Sequence, residues 1–146
     1  MARPRNIERN LIMSHFTIGI IVPPQTVLDR RNLERFIQAR MAPFDENRLF
    51  ATFNHEGEHC RVYNPDGRWD YYKVGGHWNG WLTDMPPEQA MFRHNVAPVE
   101  DVIENEKWPS AFITPKGLWI ESDTDRNHII LHTFPDHYVV LVDAHV

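Results

Sequence analysis

The run His15-Phe16-Thr17-Ile18-Gly19-Ile20-Ile21-Val22, halted by Pro23-Pro24, constrains this chain more than any other stretch. Its β-branched and aromatic content reads as a strand, and the paired prolines end it because they cannot donate to a ladder. Alternation sets Phe16, Ile18 and Ile20 on one face, the better core face, and His15, Thr17 and Gly19 on the other. Thr26 is the expected cap of a helix that ends near Met41. There Val27, Leu33, Phe36, Ile37 and Met41 recur at helical spacing, and Pro43 marks the stop. Strand followed by helix is the first half of a βαβ unit.

Short strands and turns follow. Residues 49–53 and 60–63 predict two strands flanking the polar insert His55-Glu56-Gly57-Glu58-His59. Asn64-Pro65-Asp66-Gly67 is a turn, because proline presets φ and glycine accepts a positive one. Pro86-Pro87-Glu88 predicts the start of a short helix through Met91 and His94, and Val99, Val102, Ile103 and Glu106 share a weak helical face. Residues 111–114 and 118–120 form a hairpin around Pro115-Lys116-Gly117. Residues 125–134 suit a short helix capped by Asp123 or Asp125, and an apolar strand closes the chain over residues 138–145.

This order is α+β, and a ferredoxin-like βαββαβ core with an irregular aromatic-rich insertion fits it best. In that arrangement the first and last strands are antiparallel neighbours, so the start of one lies beside the end of the other. Residues 1–12 are polar, basic and aperiodic, and read as a flexible arm or a misplaced start. One domain is left over residues 13–146.

Composition narrows the function classes. The single cysteine, Cys60, excludes an internal disulfide, and no apolar run approaches the ~20 residues that span a bilayer. With no secretory signal visible either, a cytoplasmic protein without a membrane partner is expected, in the host cytoplasm if the chain is phage-encoded. A net charge of −5 argues against general nucleic-acid binding, though a local pocket can oppose the global sign. Nine histidines in 146 residues raise the prospect of a metal or acid–base site.

The densest block is residues 64–81. Gly75-Gly76 lets a ligand approach the backbone, and Trp69, Tyr71, Tyr72, Trp78 and Trp81 offer flat faces for a base or ring. Arg68, Lys73 and His77 bring positive charge to an acidic protein. The plainer reading is an irregular mini-core held by its tryptophans, with the glycines making the turns. No P-loop, GxSxG, CxxC or dinucleotide fingerprint is present. The insert at residues 55–59 carries the HExxH letters, but its Gly57 and loop composition favour an acidic loop over a helical metal pair, so metalloprotease chemistry is not expected.

A second candidate lies at the strand ends. Antiparallel terminal strands place His15 near His145 and Thr17 near Asp143. Two imidazoles, a carboxylate and a hydroxyl suit acid–base phosphoester chemistry, or a divalent metal on His15, His145 and Asp143. The alternative is that these polar residues only pin the register of the strand ends. His15-Phe16-Thr17 also has the His-x-Thr form that two-histidine phosphodiesterases use in pairs, but the second copy is missing.

Four motifs together resemble one family. Met13-Ser14-His15-Phe16-Thr17, Ala42-Pro43-Phe44-Asp45-Glu46, the block at residues 64–81 and Val142-Asp143-Ala144-His145-Val146 occur in the order seen in a largely uncharacterised family of small bacteriophage and bacterial proteins. Its members typically read MSHFTVLV, APFDE or APYDE, NPxxKWDWYxxGGRWxG and a closing DCHI. The resemblance covers residues 13–146 and implies a phage setting and a ferredoxin-like relationship, with no reaction attached. Here Gly67-Arg68 stands where Gly-free Lys patterns are usual, His77 stands where the family has Arg, and Ala144 where it has Cys. Chemistry resting on that Arg or Cys would run differently in this chain or not at all.

The expected function is a phage-type accessory, or anti-defence, protein. It would recognise a small nucleotide-like ligand, sequestering or hydrolysing it. The catalytic candidates are His15, His145, Asp143 and Thr17. The binding candidates are Arg68, Trp69, Tyr71, Lys73, Gly75, Gly76, His77 and Trp78. The rival is an inhibitor of a host protein that uses exposed Trp and Tyr as anchors. An exposed edge strand would make a homo-oligomer unsurprising.

Overall fold

The computed structural model describes residues 14–53, 57 and 59–146; the expected arm at residues 1–12, and His55, Glu56 and Glu58 of the polar insert, lie outside them. The chain runs β1 (His15–Val22), α1 (Arg30–Met41), β2 (Leu49–Phe53), β3 (His59–Tyr63), β4 (Tyr71–Val74), β5 (Val96–Pro98) and α2 (Val99–Glu104). It continues through β6 (Ala111–Ile113), β7 (Trp119–Glu121), α3 (Thr124–Thr133) and β8 (Tyr138–His145). Short 3-10 turns at Gly76–Trp78, Trp81–Thr83 and Phe92–Asn95 fill the middle.

β1 and β8 pair antiparallel along their whole length, from His15 opposite His145 to Val22 opposite Tyr138. They form the centre of a six-stranded sheet in the order β4-β8-β1-β6-β7, with β5 also on β8. The fold is therefore α+β with a mixed sheet. It departs from a ferredoxin-like order in that β4 and β5 add to the outer side of β8 and in the placing of the hairpin. In the ferredoxin-like order the second strand of the hairpin inserts beside the first strand of the chain; here the first hairpin strand, β6, lies directly and in parallel beside β1. The strands expected at residues 49–53 and 60–63 form too, but as the separate two-stranded sheet β2–β3.

Both faces of the main sheet are covered. α1 lays Leu33, Ile37 and Met41 on Ile18, Ile20, Val22, Val140 and Val142. α2 and α3 bring Val99, Val102 and Leu131 onto Ile21, Phe112, Val139 and Leu141. Strands buried on two sides read as continuous apolar runs, which is why β1 and β8 carry little alternation. Gly19 belongs to the second face, where an added Cβ would stand 2.9 Å from Pro109 and 3.0 Å from the Phe112 ring. Thr17 and His15 follow Gly19 on that face, toward the end of the strand, and Asp143 and His145 follow Leu141.

Local details differ from the sequence reading. Asp29, not Thr26, caps α1, its carboxylate accepting the Arg31 N–H, while Thr26 lies in a preceding 3-10 turn. Asp123 is the cap of α3, accepting from Arg126. The helix expected from Pro86 is a turn leading to the 3-10 segment Phe92–Asn95. No helix among the described residues is long and apolar enough to cross a membrane.

Candidate functional site

Register assembles the strand residues of the site. β4 pairs with β8 so that Tyr71 opposes His145 and Lys73 opposes Asp143, while β1 brings His15 and Thr17 to the same two positions from the other side. Residues directly opposite on neighbouring strands share a face. Two rows result: Tyr71, His145 and His15 on the outer one, Lys73, Asp143 and Thr17 on the inner one.

Asp143 is the hub. Its Oδ1 is 2.9 Å from His15 Nδ1, and its Oδ2 accepts the backbone N–H of His77 at 2.9 Å. At 5% exposure a carboxylate without partners would be costly, and these two contacts satisfy both oxygens. His145 repeats the pattern at the rim, with Nδ1 2.7 Å from Asp70 Oδ1. In each pair an ionised carboxylate can only accept, so the contact places the hydrogen on Nδ1, and Nε2 makes no hydrogen bond among the described residues. The His15 ring centroid lies 4.9 Å from that of His145 and 4.1 Å from that of His77.

The loop after β4 is shaped to reach Asp143. Gly75 and Gly76 both have positive φ, at 76° and 53°. A Cβ on Gly76 would fall on the Asp143 carboxylate, and one on Gly75 would meet the Asn95 amide. Asn95, buried, accepts the Gly80 N–H at 2.9 Å and donates to Asn79 Oδ1 at 2.9 Å. Asn79 donates in turn to the carbonyls of Pro87 and Ala90. This amide network holds the turn that presents His77. The Gly75 N–H continues the ladder by donating to the Leu141 carbonyl.

A cleft of about 330 Å³ opens over these groups, lined by His15, Tyr71, Lys73, Gly76, His77 and Asp143. Most of the expected site residues thus meet, with His145 in ring contact with His15. The others do different work. Thr17 is buried and its Oγ1 accepts the Ser110 N–H at 3.0 Å, which fastens β1 to the start of β6. Trp69 is 7% exposed, donates Nε1–H to the Met41 carbonyl at 3.0 Å, and belongs to the core under α1. Arg68 lies over the Trp119 ring rather than in the cleft. Trp78 and Trp81 are half-buried against the second core. These tryptophans therefore pack into the two main cores of the sheet, not into a separate mini-core.

For a divalent ion, the nearest set is His15, His77 and Asp143, whose ligand atoms all lie within 4.8 Å of one another. Two imidazoles and a carboxylate suit a first-row metal. His77 takes the place in this trio that the sequence reading assigned to His145, which is engaged with Asp70 instead. Asp70, Asn79 and Asn95 escaped the sequence reading. Asp70 had a signal, since it directly precedes the strand residue opposite His145, but that pairing is tertiary information. The chain has no match among family models, curated proteins or solved structures.

Proposed function

We propose that this protein recognises a small nucleotide-like ligand in the histidine cleft and hydrolyses a phosphoester bond there. The observation that carries the reading is the pair of His–Asp couples side by side: His15 with Asp143 and His145 with Asp70, their rings in contact. Each imidazole is oriented through Nδ1, so each offers Nε2 as acid or base, and two such groups suffice to activate water and protonate a leaving oxygen. Lys73 supplies positive charge for a phosphoryl group, and the His77 ring lines the same cleft. A divalent ion held by His15, His77 and Asp143 would be an alternative use of the same groups. It would occupy the His15 lone pair, supply Lewis-acid polarisation of a phosphoryl oxygen and leave His145 as the acid–base group. Binding without turnover, a sequestering role, uses the same groups. The phage setting, and with it an action on host nucleotide signalling, rests on the sequence resemblance.

The inhibitor reading needs exposed aromatic anchors. Trp69 is in the core and Trp78 and Trp81 pack inward, which leaves Tyr71 as the exposed aromatic of the block. The ligand reading is the better supported.

The test is a thermal-shift panel of nucleotides with and without divalent ions, followed by turnover of any ligand that stabilises. A ligand present at 100 times its Kd contributes about 2.7 kcal/mol to the folded state, a readily measured rise in Tm. His15→Ala and His145→Ala are each expected to lower turnover by roughly 100-fold or more. Turnover unchanged in both variants would end the hydrolytic version, and no shift with any nucleotide would end the ligand reading.

A further inference from the structure

The histidine cleft is not isolated. Lys73 and Gly76 line both it and a second chamber of about 250 Å³, which also touches Val74, Asn79, Asn95 and Phe92. Phe92 in turn lines a third chamber of about 400 Å³, with Val27, Arg30, Leu33, Arg93 and Tyr138. The three follow one edge of the sheet. β4 and β5 pair end to end on β8, at 142–145 and 138–140, and the Gly75 turn bridges them at Leu141. The chambers therefore lie in series as a trough of three separate compartments, from His15 past Gly76 to the start of α1, each sharing wall residues with the next.

Its chemistry changes along its length. The histidine end is polar. The middle is walled by the Asn79 and Asn95 amides. The far end is apolar and carries the Arg30 guanidinium 4.0 Å above the Phe92 ring centre. Among the described residues no carboxylate lines the middle or far chambers, although the whole chain carries a net charge of −5. Arg30 is bonded to Glu34 at the surface, and Arg93 and Lys73 have no carboxylate partner among the described residues. A cationic lining with an aromatic floor inside an acidic protein is complementary to a ligand with an anionic head and a flat body.

Resting on the reading of the histidine cleft given above, we infer that the trough holds a whole mononucleotide. Its phosphate lies at His15, His77 and Lys73, its sugar passes Asn79 and Asn95, and its base lies against Phe92 and the Arg30 guanidinium, with Arg93 at the rim. Guanidinium and phenyl faces both accept a base by stacking, which tolerates any base. The far chamber thus sets affinity for the nucleoside part, and the histidine end reads only the phosphate.

Affinities of adenosine 5′-monophosphate, guanosine 5′-monophosphate and inorganic phosphate test this in wild type, Phe92→Ala, Arg93→Gln and His15→Ala. The wild type should bind either nucleotide about tenfold or more tighter than phosphate, the scale of one base–aromatic stack. Phe92→Ala and Arg93→Gln should remove most of that difference while weakening phosphate far less, and His15→Ala should weaken all three ligands. Phosphate binding with no gain from the nucleoside would overturn the trough and leave the histidine cleft standing. Equal losses for nucleotide and phosphate in both far-end variants would overturn it as well. Failure of the wild type to bind any of the three ligands would remove both readings. Arg93 is exposed, so its variant remains informative if Phe92→Ala unfolds.

Discussion

Asp143 ties together three parts of the molecule that are far apart in sequence: β8, through its own backbone, β1, through His15, and the Gly75-Gly76 turn, through the His77 N–H. That last contact exists because position 76 has no side chain. Gly76→Ala would put a methyl group on the carboxylate at a φ of 53°, a conformation that costs a non-glycine residue about 1–3 kcal/mol before any clash. The variant is expected to lose at least that much stability by urea denaturation and to have its His77 amide exposed to faster hydrogen exchange. Stability equal to wild type would mean that the turn and carboxylate are not locked together. Trp69 shows the opposite lesson: the most conspicuous aromatic of its block is in the core, with its indole N–H satisfied by Met41.

At the scale of elements, β4 is the strand that joins core to site. Tyr71 and Lys73 point to the cleft face, while Tyr72 and Val74 pack against the core under α1. Tyr72 meets Trp69 edge-on at 4.9 Å, and burial pushes its phenol above the ordinary value of 10.0. The sign follows directly. The unfolded phenol ionises first as pH rises past 10.0, so this contribution to stability is whole below that pH and is lost as pH climbs through the folded value. Tyr72→Phe should therefore flatten the fall in urea midpoint between about pH 9 and about pH 11. An equal fall in both proteins would contradict the assignment. The neighbouring turn explains another pairing of motifs. Arg68 N–H donates to the Phe44 carbonyl at 2.7 Å, Glu46 N–H to the Trp69 carbonyl at 2.7 Å, and Asn64 holds the Pro43 and Asp45 carbonyls. Residues 42–46 and 64–69 are thus two sides of one contact.

For the whole molecule, one sheet shared by two apolar layers makes the layers interdependent. β1 and β8 contribute to both, Ile18, Ile20 and Val142 on one side and Ile21, Val139 and Leu141 on the other. Unfolding is expected to be a single transition, with coincident tryptophan fluorescence and far-UV circular dichroism curves. Trp69 reports on the α1 layer, and Trp78, Trp81 and Trp108 on the other. Phe112→Ala, deep in the second layer, should cost about 3–5 kcal/mol and lower both curves together. Separate transitions would show that the layers melt independently.

Much of this was legible in the chain. The terminal strands, the end of α1 at Met41 and the hairpin at residues 111–120 follow from local periodicity and punctuation, whereas the antiparallel meeting of His15 with His145 is expected only from an assumed topology. Periodicity reports which residues want burial, because a side chain's hydrophobicity is its own property. It does not report what covers them, so a second buried face on β1 and the direct parallel pairing of β6 were decided by packing between distant elements. The site divides the same way. His15, Asp143, His77 and Lys73 are recognisable by type, since they carry the charges and protons. Their convergence, the partner Asp70, the amide support of Asn95 and the withdrawal of Trp69 into the core depend on strand register and on a turn that only glycine can make. The sequence by itself determined the strands, the helices and the chemical groups; tertiary structure decided which groups face one another, because contact between residues more than a hundred positions apart, such as His15 and Asp143, depends on the whole sheet being formed.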